Sequence, residues 1–400
     1  MAGSLNIPLA VAQTFASAVA ARAIGARYRG AYIHVPFCRH KCHYCDFYSF
    51  VDSENRTEAF VERLEAELSS ALPFLNHQLE TVFVGGGTPT MLGAPLLARM
   101  LASVRRILPI AEDAEWSVEA NPETVDEATA DALAQAGVRR VSVGAQSFTP
   151  RLLKALERDH DPLSVGRAVR LLRSAGVPEV NVDLIFGIPS STLEDWQRDL
   201  AAALALAPDH ISAYGLVYEP NTPLTVKLRQ GAVTRLPEDD EAEQYEYVIA
   251  ALAAAGYERY EISNWSLPGR ACKHNILYWQ NADWWAFGPS GAAHGAGIRW
   301  KNIPRLATWL EQGPSSPVVD VESLDLDGQA GESFMLGLRL MRGIPVERVE
   351  QLLASPARGS HRRRLIDGHI AGGLLEHADG HLRLTARGFM IADSVLSGLI

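Results

Sequence analysis

The fold is decided near the beginning of the chain, where residues 32–47 read YIHVPFCRHKCHYCDF. The short apolar stretch at 32–35 predicts a buried strand, and three cysteines follow it as Cys38-x-x-x-Cys42-x-x-Cys45. Thiolate sulfur is a soft ligand that suits zinc or iron–sulfur clusters. Three cysteines on a four-iron cubane leave one iron with an open position, where a small molecule can bind through amino and carboxylate groups. The spacing therefore predicts a [4Fe-4S] cluster held by Cys38, Cys42 and Cys45.

A zinc site is the alternative interpretation of the same cysteines. Its fourth ligand would be one of the neighbouring histidines, His34, His40 or His43. Zinc sites favour paired C-x-x-C units, whereas the spacing here occurs once. The alternative stays open on the residues alone.

Beyond the cysteines, strand and helix patterns alternate. Strands are predicted at 32–35, 81–84, 116–119, 141–143, 180–185 and 211–216, and helices at 57–68, 95–107, 126–136, 163–175 and 193–206, the first with Thr57 as N-cap. Six such units demand a mostly parallel sheet with helices outside it. They are too few for a closed eight-stranded barrel, which leaves a partial barrel or an open doubly wound sheet.

A second region begins near residue 320. The acidic stretch 319–331 predicts a loop, 332–342 predicts a helix, and 373–375 and 382–385 predict two strands around a turn at 379–380. Thr385 is the expected cap of a last helix that extends to residue 399. Helices followed by a small hairpin favour a winged-helix-like α+β module.

Composition limits the function classes. The 37 Lys and Arg residues against 47 Asp and Glu give a net charge of −10, so we expect no nucleic-acid partner. The basic run of Arg358 and residues 362–364 is interpreted as a solvated helix face.

Four cysteines in 400 residues exclude a disulfide scaffold and favour a reducing compartment. No apolar stretch predicts a membrane span, and we expect a cytoplasmic protein. The Ala-rich segment 7–24, with no acidic residue before Asp46, keeps an organelle address open.

Polar and glycine residues collect where the predicted strands end. Gly85, Gly86, Gly87 and Thr88 follow the second strand, and four further positions are Glu119, Gln146, Arg158 and Asp183. Ligands of parallel α/β folds bind at the carboxyl ends of the strands. Each residue alone is an ordinary polar or turn residue, but together at one rim they predict a binding site.

The cysteine spacing, with Tyr44 in its last gap, resembles the radical SAM superfamily, and the string from Tyr32 to Phe47 narrows it to the HemN/HemW-like branch. The resemblance implies a partial (β/α)6 barrel in which S-adenosylmethionine binds the open iron. The family positions that hold this cofactor fall on Tyr32, Tyr44, Gly86, Gly87, Thr88, Glu119, Gln146, Arg158 and Asp183. The implied division of the chain is an N-terminal extension (1–30), a radical SAM core (31–220), an extension (221–319) and a HemN-type C-terminal domain (320–400), which in the family covers the barrel mouth.

A second motif follows the sixth strand, as Cys272-Lys-His274-Asn275-Ile-Leu-Tyr278-Trp279. Its neighbours include three tryptophans: Trp265, Trp284 and Trp285. A histidine among large aromatic residues either ligates haem iron or forms hydrogen bonds inside an aromatic core, and the residues alone leave both open. By resemblance, His-Asn-x-x-Tyr-Trp is a haem-binding signature, which makes His274 the haem ligand. Cys272 is either a second haem contact or a buried thiol.

The resemblance implies a haem chaperone, which binds haem and transfers it to an acceptor haemoprotein, such as a respiratory one, rather than an enzyme. The alternative is an oxygen-independent coproporphyrinogen III oxidase, which performs a radical oxidative decarboxylation in porphyrin biosynthesis. These oxidases carry a fourth cysteine two residues past the third, where this chain has Phe47. A radical SAM enzyme acting on RNA is a third class, but it predicts a basic rim that an acidic chain does not offer.

Overall fold

The structure is a computed structural model that describes Val19 and residues 23–400. Twelve strands form one sheet in the order β12-β11-β10-β9-β1-β2-β3-β4-β5-β6-β8-β7. Their bounds are β1 Gly30–Val35, β2 Leu79–Gly86, β3 Ile110–Ala120, β4 Arg140–Gln146, β5 Glu179–Phe186, β6 His210–Gly215, β7 Glu258–Arg259, β8 Asn264–Ser266, β9 Trp284–Phe287, β10 Ala292–Gly295, β11 Ile298–Asn302 and β12 Val318–Ser323.

Helices connect the strands, and most of them cover the outer face of the sheet, although the helix at Lys273–Trp279 lies against the barrel interior. They are α1 Thr57–Ala71, α2 Gly93–Ile107, α3 Glu127–Gln135, α4 Pro150–Ala155, α5 Pro162–Ser174, α6 Leu193–Ala205, α7 Pro223–Arg229, α8 Glu238–Ala254, α9 Lys273–Trp279 and α10 Leu306–Glu311. β1 to β6 pair in parallel, which confirms the six predicted units and the partial barrel. β9 also lies parallel to β1, so Trp284 and Trp285 belong to a strand that the sequence analysis did not identify.

The two faces of the sheet differ in chemistry. Val84, Val118, Val143 and Val182 are fully buried in the core between the sheet and its helices. The alternate residues point into the barrel, and many of them are polar: Thr81, Glu115, Glu119, Arg140, Ser142, Asn181, Asp183 and Ser212. The inside of the barrel is therefore lined by polar side chains that can contact a ligand, and the packed apolar core lies on the other face of the sheet.

The C-terminal domain has its own sheet and core. It contains α11 Leu326–Gly337, α12 Val346–Leu353, α13 Gly359–Ala371, α14 Ala386–Met390 and α15 Ala392–Ser397, with β13 Ile344–Pro345, β14 Leu375–Ala378 and β15 His381–Leu384. The three strands are antiparallel in the order β13-β15-β14. The predicted α+β module is therefore confirmed.

Three local predictions in this region are wrong. Residues 319–331 are not a loop, because β12 pairs with β11 and the side chain of Asp325 accepts a hydrogen bond from the Gly328 N–H to begin α11. The helix predicted at 332–342 therefore starts earlier and ends at Gly337. Thr385 is a cap as predicted, but the helix after it is interrupted at Ile391, which has a non-helical backbone.

The C-terminal domain packs at the end of the barrel opposite the cysteines. Asn281 Nδ2 donates to Glu332 Oε2 (2.9 Å), and the Met341 N–H donates to the Tyr260 carbonyl oxygen (3.0 Å). Asn281 precedes β9, so these contacts lie near the amino-terminal ends of the parallel strands. The expectation that this domain covers the barrel mouth is wrong.

Two predictions concern charged or capping side chains elsewhere. The basic run lies on α13, but it is not a uniformly solvated face, since Arg362 is fully buried and bonded to Asp327 (2.8 Å). Thr57 is not an N-cap: Arg56 occupies that position, and its N–H donates to the Asp52 carboxylate (2.6 Å).

Residues 1–18 and 20–22 lie outside the described residues, and they include most of the segment that suggested an organelle address. Within the described part of the chain, no helix has the length and hydropathy needed to cross a membrane.

Candidate functional site

The three motif cysteines lie in the loop that follows β1 at the mouth of the barrel. The loop is closed at its base by backbone hydrogen bonds, from Cys38 N–H to the Phe50 oxygen and from Phe50 N–H to the Pro36 oxygen (both 3.0 Å). Thr88 Oγ1 lies 3.7 Å from Cys38 Sγ. Burial raises the pKa of both the Cys38 and the Cys45 thiol, so holding them as thiolates needs a compensating positive charge.

His34, one of the histidines that could complete a zinc site, has hydrogen-bond partners of its own. Within Val19 and residues 23–400, no group of three or more His, Cys, Asp or Glu side chains could hold one metal ion. His34 is committed elsewhere: its Nδ1 shares a hydrogen bond with the Tyr32 hydroxyl (3.0 Å) and its Nε2 with the Tyr48 carbonyl oxygen (2.7 Å).

The glycine run after β2 passes directly beneath the cysteine loop. Gly87 N–H donates to the Val35 oxygen (2.8 Å), and Thr88 N–H donates to the Phe37 oxygen (2.7 Å). A Cβ at Gly87 would lie 2.7 Å from both of those acceptor oxygens, so only glycine allows this approach. Gly86 has a positive φ of 102°, and a Cβ there would lie 2.4 Å from the ring of His34.

Two carboxylates project into the barrel beside the glycines. Glu119 Oε2 accepts a hydrogen bond from Gly86 N–H (3.0 Å). Burial, with a smaller contribution from the nearby Asp183, raises the pKa of Glu119 to about 7. Burial also raises the pKa of Asp183, whose carboxylate is hydrogen-bonded by Ser142 and Asn181. Within the described residues, Glu119 Oε1 accepts no protein hydrogen bond, so it can accept one from a ligand.

Arg158 connects the cysteine loop to the end of β4. Its Nη2 donates to the Gly144 oxygen (2.6 Å), its Nη1 lies 3.5 Å from Cys42 Sγ, and its Nε is buried with no hydrogen-bond partner. The positive charge of Arg158 acts on Tyr44, where it lowers the pKa of the phenol against the effect of burial. Gln146 lies beside Arg158 as well: a Cβ at Gly144 would lie 3.0 Å from Gln146 Nε2 and 3.2 Å from Arg158 Nη2. The structure thus brings Tyr44, Gln146 and Arg158 together beside the cysteines, with a guanidinium that can stabilise a thiolate or an anionic ligand.

The histidine motif lies on α9 at the opposite, amino-terminal end of the strands. The Glu115 carboxylate of β3 accepts hydrogen bonds from the backbone N–H groups of Lys273 (2.9 Å) and His274 (3.0 Å), which fixes the start of the helix. His274 and Tyr278 are four residues apart and therefore share one helix face. That face points into the barrel.

His274 is fully enclosed, with 1% of its surface exposed. Nδ1 shares a hydrogen bond with Thr81 Oγ1 (2.7 Å), and Nε2 shares one with the Tyr278 hydroxyl (2.8 Å). Burial lowers the pKa of His274 to about 3, so the ring is neutral. Coordination of iron by His274 requires Nε2 to leave Tyr278 and the ring to become accessible.

The residues around the motif form a packed interior. Trp265 is buried in β8, and Trp284 contacts Tyr278 edge to face with ring centroids 4.6 Å apart. Trp285 packs on Tyr28 and Phe74. Cys272 is buried, and burial raises its pKa to about 12. The burial of Trp265, Cys272 and His274 agrees with the aromatic-core alternative that the sequence left open, whereas Trp284 and Trp285 are only partly buried.

Several residues of the site escaped the sequence analysis. Thr81, Phe83 and Glu115 contact the motif helix, and Ser142 and Asn181 orient Asp183. Four of them lie at alternate, inward-facing positions of predicted strands, and Glu115 lies one residue before the strand predicted at 116–119. Period-two alternation was the available signal, but the predicted strands at 81–84 and 116–119 were too short to show it.

Comparison with known proteins identifies the family. The model of the radical SAM superfamily matches residues 32–203, and the model of the HemN C-terminal domain matches residues 324–391. A Mycobacterium tuberculosis protein named "Heme chaperone HemW" is 38% identical over 377 residues, which cover 93% of this chain and 94% of that protein. The chain belongs to the HemW family.

The HemW protein of Escherichia coli is 35% identical, over 91% of this chain and 96% of its own length. The fold of this HemW-family chain is also found in the E. coli coproporphyrinogen III oxidase HemN, a radical SAM enzyme. That structure superposes with a TM-score of 0.81 at 21% identity, over 97% of this chain and 93% of HemN. This likeness concerns the fold alone.

Proposed function

We propose that this protein is a haem chaperone, which binds haem and passes it to an acceptor haemoprotein. The observation that carries the proposal is the likeness to proteins named "Heme chaperone HemW" over nearly the whole chain. Phe47, which occupies the place of the oxidases' fourth cysteine, also favours a chaperone over a coproporphyrinogen oxidase. Phe47 is 61% exposed at the cysteine loop. We place this activity in the cytoplasm.

The proposed resident cofactors are a [4Fe-4S] cluster on Cys38, Cys42 and Cys45, and S-adenosylmethionine. When bound, the cluster supplies an iron with an open position and a source of one electron. The chain contributes the surroundings: the Arg158 guanidinium beside Cys42 and the glycine run beneath the loop. Glu119 and Asp183 offer negative charge to the cationic sulfonium, and Tyr32, Tyr44, Thr88 and Gln146 are the other proposed contacts.

His274 is the proposed haem ligand, and the structure sets a condition for that role. Its Nε2 must exchange the Tyr278 hydroxyl for iron, so ligation needs an opened arrangement of α9. Replacing Tyr278 with Phe removes the competing hydroxyl and is expected to strengthen ligation. Replacing His274 with Ala is expected to remove the ligand-dependent part of the Soret band.

The test is an anaerobic titration of haem into the reconstituted protein, followed by its Soret absorbance. Saturable binding that weakens in His274→Ala supports both the chaperone and the ligand. Binding that is unchanged in His274→Ala removes this ligand assignment and leaves the chaperone. Absence of saturable binding, together with decarboxylation of coproporphyrinogen III in the presence of reductant and S-adenosylmethionine, would establish the oxidase instead.

A further inference from the structure

The haem motif and the proposed S-adenosylmethionine site share one aromatic support. The ring of Phe83, on the inner face of β2, stacks on His274 with centroids 5.3 Å apart and planes inclined by 24°. Its other neighbour is Tyr32, stacked at 6.2 Å and 25°. Phe83 therefore contacts both the motif histidine and a residue of the proposed cofactor site.

The same ring also lies next to Glu119. A Cβ at Gly85 would lie 2.6 Å from Glu119 Oε2 and 2.9 Å from Phe83 Cε1, so carboxylate and ring meet over the backbone of this glycine. Glu119 is further held by the Gly86 N–H. A displacement of Phe83 would therefore disturb Tyr32 and Glu119 together.

His274, which packs beneath Phe83, is held in a fixed position by its neighbours. His274 has hydrogen bonds on both ring nitrogens, to Thr81 and Tyr278, and Tyr278 is packed edge to face on the rings of His274 and Trp284. The beginning of α9 is fixed by Glu115. Such an arrangement of fixed hydrogen bonds holds the residues above it in a defined geometry.

We propose that α9 forms the floor of the S-adenosylmethionine cavity, with His274 and Tyr278 as positioning residues that act on Tyr32 and Glu119 through Phe83. The inference rests on the cofactor site of the proposed function. It has one consequence for the cargo. If His274 Nε2 leaves Tyr278 to bind haem iron, the floor is disturbed, so haem and S-adenosylmethionine weaken each other's binding by the same factor.

The decisive experiment uses the full-length, anaerobically reconstituted protein without haem. The dissociation constant of S-adenosylmethionine is measured by equilibrium dialysis, and the change that it causes in the EPR spectrum of the reduced cluster is recorded. Tyr278→Phe removes one buried hydroxyl and keeps the ring. The expected result is an about tenfold higher dissociation constant and an altered EPR change, because one hydrogen bond of the floor is lost.

The matched control is Tyr257→Phe. Tyr257 is also buried and donates one hydrogen bond, to the Pro208 oxygen (2.5 Å), but it lies in the segment between α8 and β7, in the core outside the barrel. Its variant should bind S-adenosylmethionine within about twofold of wild type. Equal weakening in both variants, or none in Tyr278→Phe, overturns the proposal. If Tyr278→Phe does not fold, Thr81→Val decides instead, since it removes only the hydroxyl on His274 Nδ1 and should weaken binding in the same way.

Failure of this inference is distinguishable from failure of the proposed function. If the wild-type protein takes up haem and Tyr278→Phe keeps the wild-type affinity for S-adenosylmethionine, the chaperone function stands and the proposed role of α9 is wrong. Wild-type protein that does not bind S-adenosylmethionine overturns both the cofactor site and the floor. Where both ligands bind, a dissociation constant for S-adenosylmethionine that is unchanged at saturating haem contradicts the coupling.

Discussion

Substitution of Gly87 by alanine should separate the glycine run from the cysteine loop. The new Cβ would lie 2.7 Å from the Val35 and Phe37 carbonyl oxygens, whereas ordinary contact begins near 3.4 Å, so about 0.7 Å of displacement is needed. The hydrogen bonds from Gly87 N–H and Thr88 N–H to those oxygens would then stretch beyond roughly 3.2 Å. Overpacking costs about 1–3 kcal/mol and each lost hydrogen bond about 1 kcal/mol, so we expect about 3–5 kcal/mol of destabilisation.

The assay is anaerobic reconstitution followed by iron and sulfide analysis, with the urea midpoint measured in parallel. We expect Gly87→Ala to lose most of its cluster, because Phe37 immediately precedes Cys38. Gly93→Ala is the control: Gly93 has a φ of 72° but open space around its Cβ, so it incurs backbone strain of about 1–3 kcal/mol without touching the loop. The reasoning is refuted if Gly87→Ala keeps a wild-type cluster content and urea midpoint, or if Gly93→Ala loses its cluster to the same extent.

Three further predictions concern other parts of the molecule. S-adenosylmethionine should bind up to about tenfold more weakly at pH 6 than at pH 8, because the pKa of Glu119 is about 7 and only its ionised form attracts the sulfonium; equilibrium dialysis should show a flat profile for Glu119→Gln. Arg362→Ala should lower the urea midpoint of the C-terminal domain, since it removes a fully buried guanidinium that is bonded to Asp327 and to the Leu399 oxygen, whereas Arg363→Ala, from a half-exposed pair with Glu350, should leave the midpoint close to that of wild type. In a haem titration, Tyr278→Phe should bind at least as tightly as wild type, and weaker binding would contradict the competition between its hydroxyl and iron for His274 Nε2.

The sequence predicted the elements whose signal is local. Apolar runs followed by Gly or polar residues gave the six parallel units, and the cysteine spacing gave the loop after β1. The acidic stretch before α11 was misread because Asp325 can act as a helix cap as well as a loop residue. β9 was missed because its tryptophans suggested a ligand face rather than a strand. Only its pairing with β1 and packing on Tyr28 identify it.

The residues of the candidate site also fall into those that the sequence predicted and those that it did not. Glycines, carboxylates and Arg158 at strand ends were predictable, since parallel strands bring their carboxyl ends to one edge. The position of α9 was not. Its contacts with Thr81 and Phe83 join residues about 190 positions apart, and no local pattern records that pairing. His274 thus had two open interpretations in the sequence, and the fold shows it enclosed beneath the site.

The most direct test of the account is the haem and non-haem iron content of the anaerobically reconstituted protein, compared between wild type and Cys45→Ala. We predict stoichiometric haem uptake and a four-iron cluster in wild type, and loss of the cluster iron in Cys45→Ala. Non-haem iron that is unchanged by Cys45→Ala, or a wild-type protein that takes up no haem, would contradict the account.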